Sequence, residues 1–145
     1  MTEDGGVIER YFEWLTTQNW EALKEELSPE VARVGPFGDR VVGRHRYLDF
    51  LMGTVPPGYG NDVHRVVYAP DGRSGFARVS EHLSYPGREV HLEEMLSFLI
   101  DEEGRLSEVE VFWQTPQLDP GGFGSARSEK SYASQSLGDR PRNYR

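Results

Sequence analysis

The chain has 145 residues, which fits one domain and is enough to bury a stable core without disulfides or a metal. It contains no cysteine, and this excludes disulfides, thiolate nucleophiles and cysteine-based metal sites. The net charge is −8, and because residues 116–145 hold five basic and three acidic side chains, residues 1–115 carry −10. An acidic body repels phosphate backbones, so we expect no nucleic-acid partner.

The first part of the chain predicts helices. Apolar residues recur at helical spacing in the sequence Val7, Ile8, Tyr11, Phe12 and Leu15, and Asp4 is a suitable N-cap. A second helix is expected after Asn19, ending before Ser28-Pro29. Residues 31–34 and 41–42 then predict two short strands around a turn, and Gly43 opens a third helix with the stripe Tyr47, Leu48 and Leu51.

The middle of the chain predicts antiparallel strands. Alternating patterns cover residues 62–68, 76–85, 90–100 and 106–115, and turn sequences such as Pro70-Asp71-Gly72 separate them. Helices followed by a run of strands predict an α+β fold.

Residues 116–145 lack any periodicity and are rich in Gly, Ser, Arg and Pro. We therefore predict a domain over residues 1–117 and a flexible tail over residues 118–145, with a partner-binding segment as the alternative for the tail. Residues 1–17 show no basic leader followed by an apolar run, and no stretch is long and apolar enough to span a membrane. These features predict no membrane partner and a cytoplasmic location.

The Pro86-Gly87 turn allows a prediction of which strand residues face inward. If it is a two-residue loop, Leu83 faces Val90 and Glu81 faces Leu92. Across the next turn, Trp113 comes close to Glu94. The buried face then comprises Ala77, Val79, Leu83, Tyr85, Val90, Leu92, Leu96, Phe98, Val109, Val111 and Trp113.

Two acids, Glu81 and Glu94, lie on this apolar face as diagonal neighbours, with Cβ atoms about 7 Å apart. Burial and a second carboxylate each raise the pKa of a carboxyl group, so the pair could present one acid and one base at neutral pH. The alternative is that each glutamate pairs with an arginine or lies in water at the open rim of the sheet.

The opposite face brings His82 across from His91, with Glu93 one step along. Two imidazoles and a carboxylate could bind a divalent metal, but a structural or surface pair, solvated or facing a partner subunit, is the favoured explanation, and we predict no metal site. Aromatic side chains offer the same choice between a ligand pocket and plain core: Tyr11, Trp14, Tyr47, Tyr85, Phe98 and Trp113.

Residues 7–114 resemble the nuclear transport factor 2-like superfamily, which includes SnoaL-like polyketide cyclases and ketosteroid isomerases. The segments that carry this resemblance are Ile8-Glu9-Arg10-Tyr11-Phe12, Asn19-Trp20-Glu21-Ala22-Leu23, Val34-Gly35-Pro36-Phe37-Gly38, Val42-Gly43-Arg44 and Gly104-Arg105-Leu106. The resemblance implies three helices packed into a curved, mostly antiparallel sheet, a cone-shaped pocket, and a homodimer through the outer sheet face.

The likeness to ketosteroid isomerases is partial. Tyr11 falls where those enzymes keep an oxyanion-holding tyrosine, but Gly35 stands at the position of their general base. Their second oxyanion-holding acid lies near Leu96, whereas this chain has Glu94 one inward position away. Steroid-type isomerisation by that route is therefore not expected.

Together these features predict an acid/base enzyme without metal or organic cofactor, acting on a small and largely apolar substrate. Glu94, Glu81 and Tyr11 are the expected catalytic residues. Tyr85, Trp113, Trp14, Tyr47 and Phe98 are the expected substrate-binding residues. Isomerisation, dehydration, cyclisation and epoxide opening all fit this set, and the alternative is a non-catalytic member that binds a ligand or a protein.

Overall fold

In the computed structural model, residues 5–114 are described. The predicted N-cap Asp4 and the predicted tail lie outside these residues. Three helices, α1 (Val7–Thr17), α2 (Trp20–Glu26) and α3 (Arg44–Thr54), pack on one side of a single sheet. The sheet contains β1 (Leu27–Val34), β2 (Arg40–Val42), β3 (Gly60–Tyr68), β4 (Ser74–Tyr85), β5 (Arg88–Ile100) and β6 (Leu106–Trp113).

The strand order is β2-β1-β6-β5-β4-β3, and every neighbouring pair is antiparallel except β1 and β6. The parallel pair joins the first strand, β1, to the last one, β6. This arrangement confirms the predicted α+β class with a mostly antiparallel sheet.

Helix α1 begins two residues later than a cap at Asp4 would place it. Gly6 is the N-cap, and its N–H donates to the Glu9 carboxylate at 2.9 Å. The Tyr68 hydroxyl accepts from the Ile8 N–H at 3.0 Å and donates to Glu9 at 2.6 Å. A strand residue therefore satisfies the first turn of α1, and a side chain at Gly6 would collide with that hydroxyl.

The register across the Pro86-Gly87 turn is confirmed. Leu83 pairs with Val90, Glu81 with Leu92, and His82 with His91. Pairing of Glu94 with Trp113 on β6 is confirmed as well. Gly87 has a φ of 73°, a left-handed conformation that glycine adopts without strain, so the two-residue loop closes with the register that the alternating pattern requires.

The predicted end of the second helix before Ser28-Pro29 is confirmed, since α2 ends at Glu26, but β1 already begins at Leu27, four residues before the predicted strand. Proline is tolerated within this strand since the β1–β6 pairing is irregular between Leu27 and Ala32, and β2 pairs with β1 only from Ala32 onward. No ladder hydrogen bond is therefore lost at Pro29.

The core lies between the helices and the inner sheet face. The helical stripes predicted for α1 and α3 are buried, and so are most of the predicted inward residues of the strands: Ala77, Val79, Leu92, Leu96, Phe98, Val109 and Val111. Leu83, Tyr85 and Val90 are only half-buried, since they lie toward the hairpin end of β4 and β5. Packing is therefore densest around α1 and loosens toward that end.

Candidate active site

Glu81 and Glu94 occupy adjacent positions on the inner sheet face. Glu94 pairs with Val79 on β4 and with Trp113 on β6, and Glu81 lies two residues along β4 from Val79. The two glutamate side chains hydrogen bond to each other. Two carboxyl groups share a hydrogen bond only when one of them holds a proton, so the pair is a carboxylic acid beside a carboxylate.

Glu94 is the member of the pair that keeps the proton. Only 6% of its surface is exposed. Burial, followed by the charge of Glu81 and the hydrogen bond to it, raises the pKa of Glu94 to about 9. The positive charge of Arg33 opposes this rise without cancelling it. At neutral pH Glu94 is therefore an uncharged acid that can donate a proton.

Glu81 is held by a short chain of polar groups at the start of the neighbouring strand, β3, and just before it. The Tyr59 hydroxyl donates to the Glu81 carboxylate, and the Asn61 amide donates to the Tyr59 oxygen at 3.1 Å. Asn61 also pairs directly with Glu81 across β3 and β4 and donates to the carbonyl of Phe12 at 3.3 Å. Burial and the Glu81 charge raise the pKa of Tyr59 far above its usual range, so the phenol stays protonated and remains a donor.

A pair of tyrosine hydroxyls lies in the buried interior. The hydroxyls of Tyr11 and Tyr47 are 2.6 Å apart, and both residues are buried. Burial raises the pKa of Tyr47 to about 12, although the Arg33 charge pulls it down, and it raises the pKa of Tyr11 well above its usual value. Both phenols are therefore neutral donors at physiological pH.

Two aromatic rings lie at the β6 end of the acid pair. Trp113, the β6 partner of Glu94, contacts Phe37 edge to face with ring centroids 5.5 Å apart. Phe37 is 78% exposed and lies in the turn between β1 and β2. Glu94 is therefore flanked by an indole that reaches toward the surface.

Three predicted ligand-contacting residues make their contacts in other parts of the fold. The Trp14 indole donates to Glu26 at 3.0 Å between α1 and α2, and the Tyr85 hydroxyl donates to the Thr54 carbonyl at 3.2 Å. Phe98 is fully buried, with edge contacts to the aromatic rings of α1. Their assignment to substrate binding stays a prediction.

The sequence patterns do not predict three residues near the acid pair, Arg33, Tyr59 and Asn61. Tyr59 and Asn61 precede the strand predicted over residues 62–68, and the alternation in β1 is too short to fix the direction of Arg33. Gly35 is closely approached by the Asp39 carboxylate, which would have to move to admit a side chain at Gly35.

The outer sheet face carries a polar network around Glu93. Glu93 accepts from Ser80 at 2.8 Å and contacts the His91 ring at 2.8 Å, and the His64 ring lies 2.7 Å from the Ser80 hydroxyl. Hydrogen bonds from Ser80 and His91 lower the pKa of Glu93. Within residues 5–114, no three His, Asp or Glu side chains converge to hold a metal ion, and no helix there is long and apolar enough to cross a membrane.

Comparison with known proteins gives a consistent family and fold. The model of the SnoaL-like domain family matches residues 8–109. A proposed ketosteroid isomerase from Kribbella flavida is 25% identical over 83% of this chain and 84% of its own, with a TM-score of 0.66. SalBIII, an epoxide hydrolase/cyclase-like enzyme of pyran ring formation in salinomycin, is 17% identical over 76% and 89%, with a TM-score of 0.69.

A third solved structure, an LEH-like epoxide hydrolase from Mycobacterium tuberculosis, is 16% identical over 74% of this chain and 80% of its own, with a TM-score of 0.65. At these identities the last two similarities concern the fold alone. No curated protein matches the sequence significantly.

Proposed function

The chain belongs to the SnoaL-like domain family and has a nuclear transport factor 2-like fold, and we propose that it is a general acid/base enzyme that needs no cofactor. Its substrate is a small, largely apolar molecule with an oxygen atom that accepts a proton during the reaction. Glu94 is the general acid and Glu81 the general base. The observation that carries this proposal is the hydrogen-bonded pair of carboxyl groups, one of them buried and neutral at pH 7.

The chemistry follows from the protonation states of the pair. Glu94 gives its proton to a substrate oxygen as a C–O bond breaks or a carbonyl is polarised, and Glu81 takes a proton from the attacking or enolising group. Each turnover leaves Glu94 ionised and Glu81 protonated, and proton exchange with solvent or between the two restores the starting state. No electron acceptor and no metal enter this balance.

Among compatible reactions, the surroundings of Glu81 favour removal of an O–H proton. Tyr59 and Asn61 supply a hydroxyl and an amide beside the carboxylate, and such groups orient a water molecule or a substrate hydroxyl. We therefore rank epoxide opening, by water or by an internal hydroxyl that closes a ring, ahead of carbonyl isomerisation. The names of two similar structures, an epoxide hydrolase/cyclase-like enzyme and an LEH-like epoxide hydrolase, are in keeping with this ranking.

The test uses two probe reactions with one set of variants. Styrene oxide reports epoxide hydrolysis, and 3-cyclohexenone reports carbonyl isomerisation. Glu94→Gln and Glu81→Gln should each lower kcat/KM about 10²- to 10⁴-fold on the probe that is turned over. Glu89→Gln, an exposed carboxylate on the same strand β5, is the matched control and should leave the rate unchanged.

The pH profile adds a second readout. Because Glu94 must be protonated to act, kcat/KM should stay high through neutral pH and fall as the pH approaches about 9. A wild-type rate that survives Glu94→Gln would contradict the assignment of the general acid.

A non-catalytic ligand-binding or protein-interaction role is the alternative within the same superfamily. The departures from the ketosteroid isomerase pattern at Gly35 and Leu96 favour it. Wild-type protein that binds both probes without converting either, with binding altered by Glu94→Gln, would support this alternative.

We also propose that two copies of the chain pair through the outer sheet face. This face exposes apolar side chains on three strands, with Phe76 51% and Phe112 52% exposed. It also carries Arg78 close to Glu93, and a two-fold axis can place opposite charges of the two copies against each other. Phe112→Lys should shift the mass measured by light scattering from dimer to monomer. Val42→Lys, on the edge strand β2, is the exposed apolar control.

A further inference from the structure

Phe37 is the most exposed large apolar side chain within residues 5–114, and it lies in the turn between β1 and β2. The buried core does not include it. The turn itself is closed by two backbone hydrogen bonds, from the Gly35 N–H to the Asp39 carbonyl at 2.7 Å and from the Gly38 N–H to the Gly35 carbonyl at 2.9 Å. Gly38 has a φ of 84°, which glycine adopts without strain. The turn therefore holds Phe37 in place without requiring an aromatic side chain at that position.

The strand register brings Phe37 beside the candidate acid. Strand β1 runs parallel to β6 with Val34 opposite Glu110, so counting on three residues along both strands brings Phe37 level with Trp113. Their rings contact edge to face at 82°, with centroids 5.5 Å apart. Trp113 is in turn the cross-strand partner of Glu94. Phe37, Trp113 and Glu94 thus form a row across the sheet that leads from the surface to the acid pair.

We propose that Phe37 is a specificity-determining residue of this site, which together with Trp113 contacts a planar ring of the substrate. The ring lies next to the oxygen atom that Glu94 protonates. This inference rests on the proposed function and deepens it by naming the substrate class, aryl or conjugated cyclic compounds.

The physical basis is the apolar surface that the turn leaves in water. With 78% of Phe37 exposed, a bound ring covers apolar area that the free protein does not bury, and removal of that area from water favours binding. Two rings in edge-to-face contact leave ring faces open to a third planar group. A small-molecule substrate is the expected occupant because the row is continuous with Glu94 on the inner sheet face, whereas the proposed contact between two copies uses the outer face.

The test compares two inert alcohols of similar size, 1-phenylethanol and 1-cyclohexylethanol, by ¹H–¹⁵N NMR titration of the full chain. Both should shift the Trp113 indole N–H signal, and the phenyl compound should have the lower Kd. Phe37→Leu keeps an apolar side chain but removes the ring, so it should weaken binding of the phenyl compound about 2- to 12-fold and change the cyclohexyl compound little. Phe37→Tyr should retain the phenyl preference. Phe76→Leu, a change at an exposed phenylalanine on β4, is the matched control and should also retain it.

Two results would overturn the inference: an undiminished phenyl preference in Phe37→Leu, or a Trp113 indole signal that neither alcohol shifts in the wild-type protein. Neither result involves turnover, so the inference can fail while Glu94→Gln still abolishes the reaction. Conversely, a phenyl preference that depends on Phe37, combined with a wild-type rate in Glu94→Gln, would overturn the proposed function and leave Phe37 as a ligand contact.

Discussion

Replacing Glu94 by glutamine should stabilise the protein increasingly as the pH rises. In the folded state Glu94 stays protonated up to about pH 9, whereas in the unfolded chain it ionises near 4.5. The unfolded state therefore releases a proton that the folded state keeps. Folding stability is consequently lost as the pH rises from the unfolded pKa toward the folded one. Glutamine has the same shape and does not titrate, so it removes this loss.

The size of this stabilisation follows from the one proton that the folded state binds and the unfolded state releases. Each unit corresponds to about 1.4 kcal/mol, so the free energy of unfolding of Glu94→Gln minus that of the wild type should grow by about 2.7 kcal/mol between pH 5.5 and 7.5. Urea unfolding at four pH values across this range, followed by tryptophan fluorescence, measures the difference. Glu94→Gln also removes the hydrogen-bond partner of Glu81, which changes stability by an amount that does not depend on pH. The prediction therefore concerns how the difference in unfolding free energy changes with pH, and not its absolute size.

The matched control is Glu89→Gln, which changes an exposed carboxylate on the same strand. Its stability difference from the wild type should not grow across this pH range. If the stability difference of Glu94→Gln also stays constant with pH, the raised pKa of Glu94 is contradicted, because Glu94 would then ionise in the folded protein as readily as in the unfolded chain.

Three further predictions concern the hydroxyl groups of tyrosine side chains. Tyr59→Phe removes the phenol that donates to Glu81 and should cost about 1–3 kcal/mol of unfolding free energy in a urea titration. Tyr85→Phe loses only a bond at the edge of the domain and should cost less than about 1 kcal/mol. Tyr68→Phe leaves the Ile8 N–H without its acceptor and should cost about 1–2 kcal/mol, with faster amide exchange confined to the first turn of α1. Uniform exchange along α1 would contradict this local explanation.

The inner position of both glutamates could be predicted from the sequence because the β4–β5 hairpin is regular. Its two-residue turn fixes which residues face each other, and the alternation of apolar residues over two long strands selects one register. The inward or outward direction of a residue can be counted from one strand to the next only while no extra residue is inserted. This condition holds from Glu81 to Glu94.

Tyr59 and Asn61 could not be found in this way because the pairing of β3 with β4 is irregular. The register shifts between Val63 and Arg65, so residues on the two sides of His64 follow different pairings. Counting back from the Pro70-Asp71-Gly72 turn would place Asp62 opposite Glu81, whereas the structure pairs Asn61 with it. A bulge leaves little trace in hydrophobic alternation, since this strand is largely exposed.

The direction of the Arg33 side chain could not be predicted from the sequence for a different reason. Its strand pairs in parallel with β6, which follows it in the chain by some seventy residues, and nothing local to β1 specifies that partner. The direction of Arg33 depends on the helix α3 that covers it and on the Asp39 turn. Tertiary contacts of this kind are set by the whole sheet and not by a neighbouring turn.

The protonation of Glu94 at neutral pH is tested most directly by titrating its side-chain carboxyl in the wild-type protein by ¹³C NMR, with Glu94→Gln used to assign the signal. We predict a midpoint at about pH 9, which makes Glu94 a neutral acid beside the Glu81 carboxylate at physiological pH. A midpoint close to 4.5 would contradict it, because both carboxylates would then be ionised and the site would have no acid to donate.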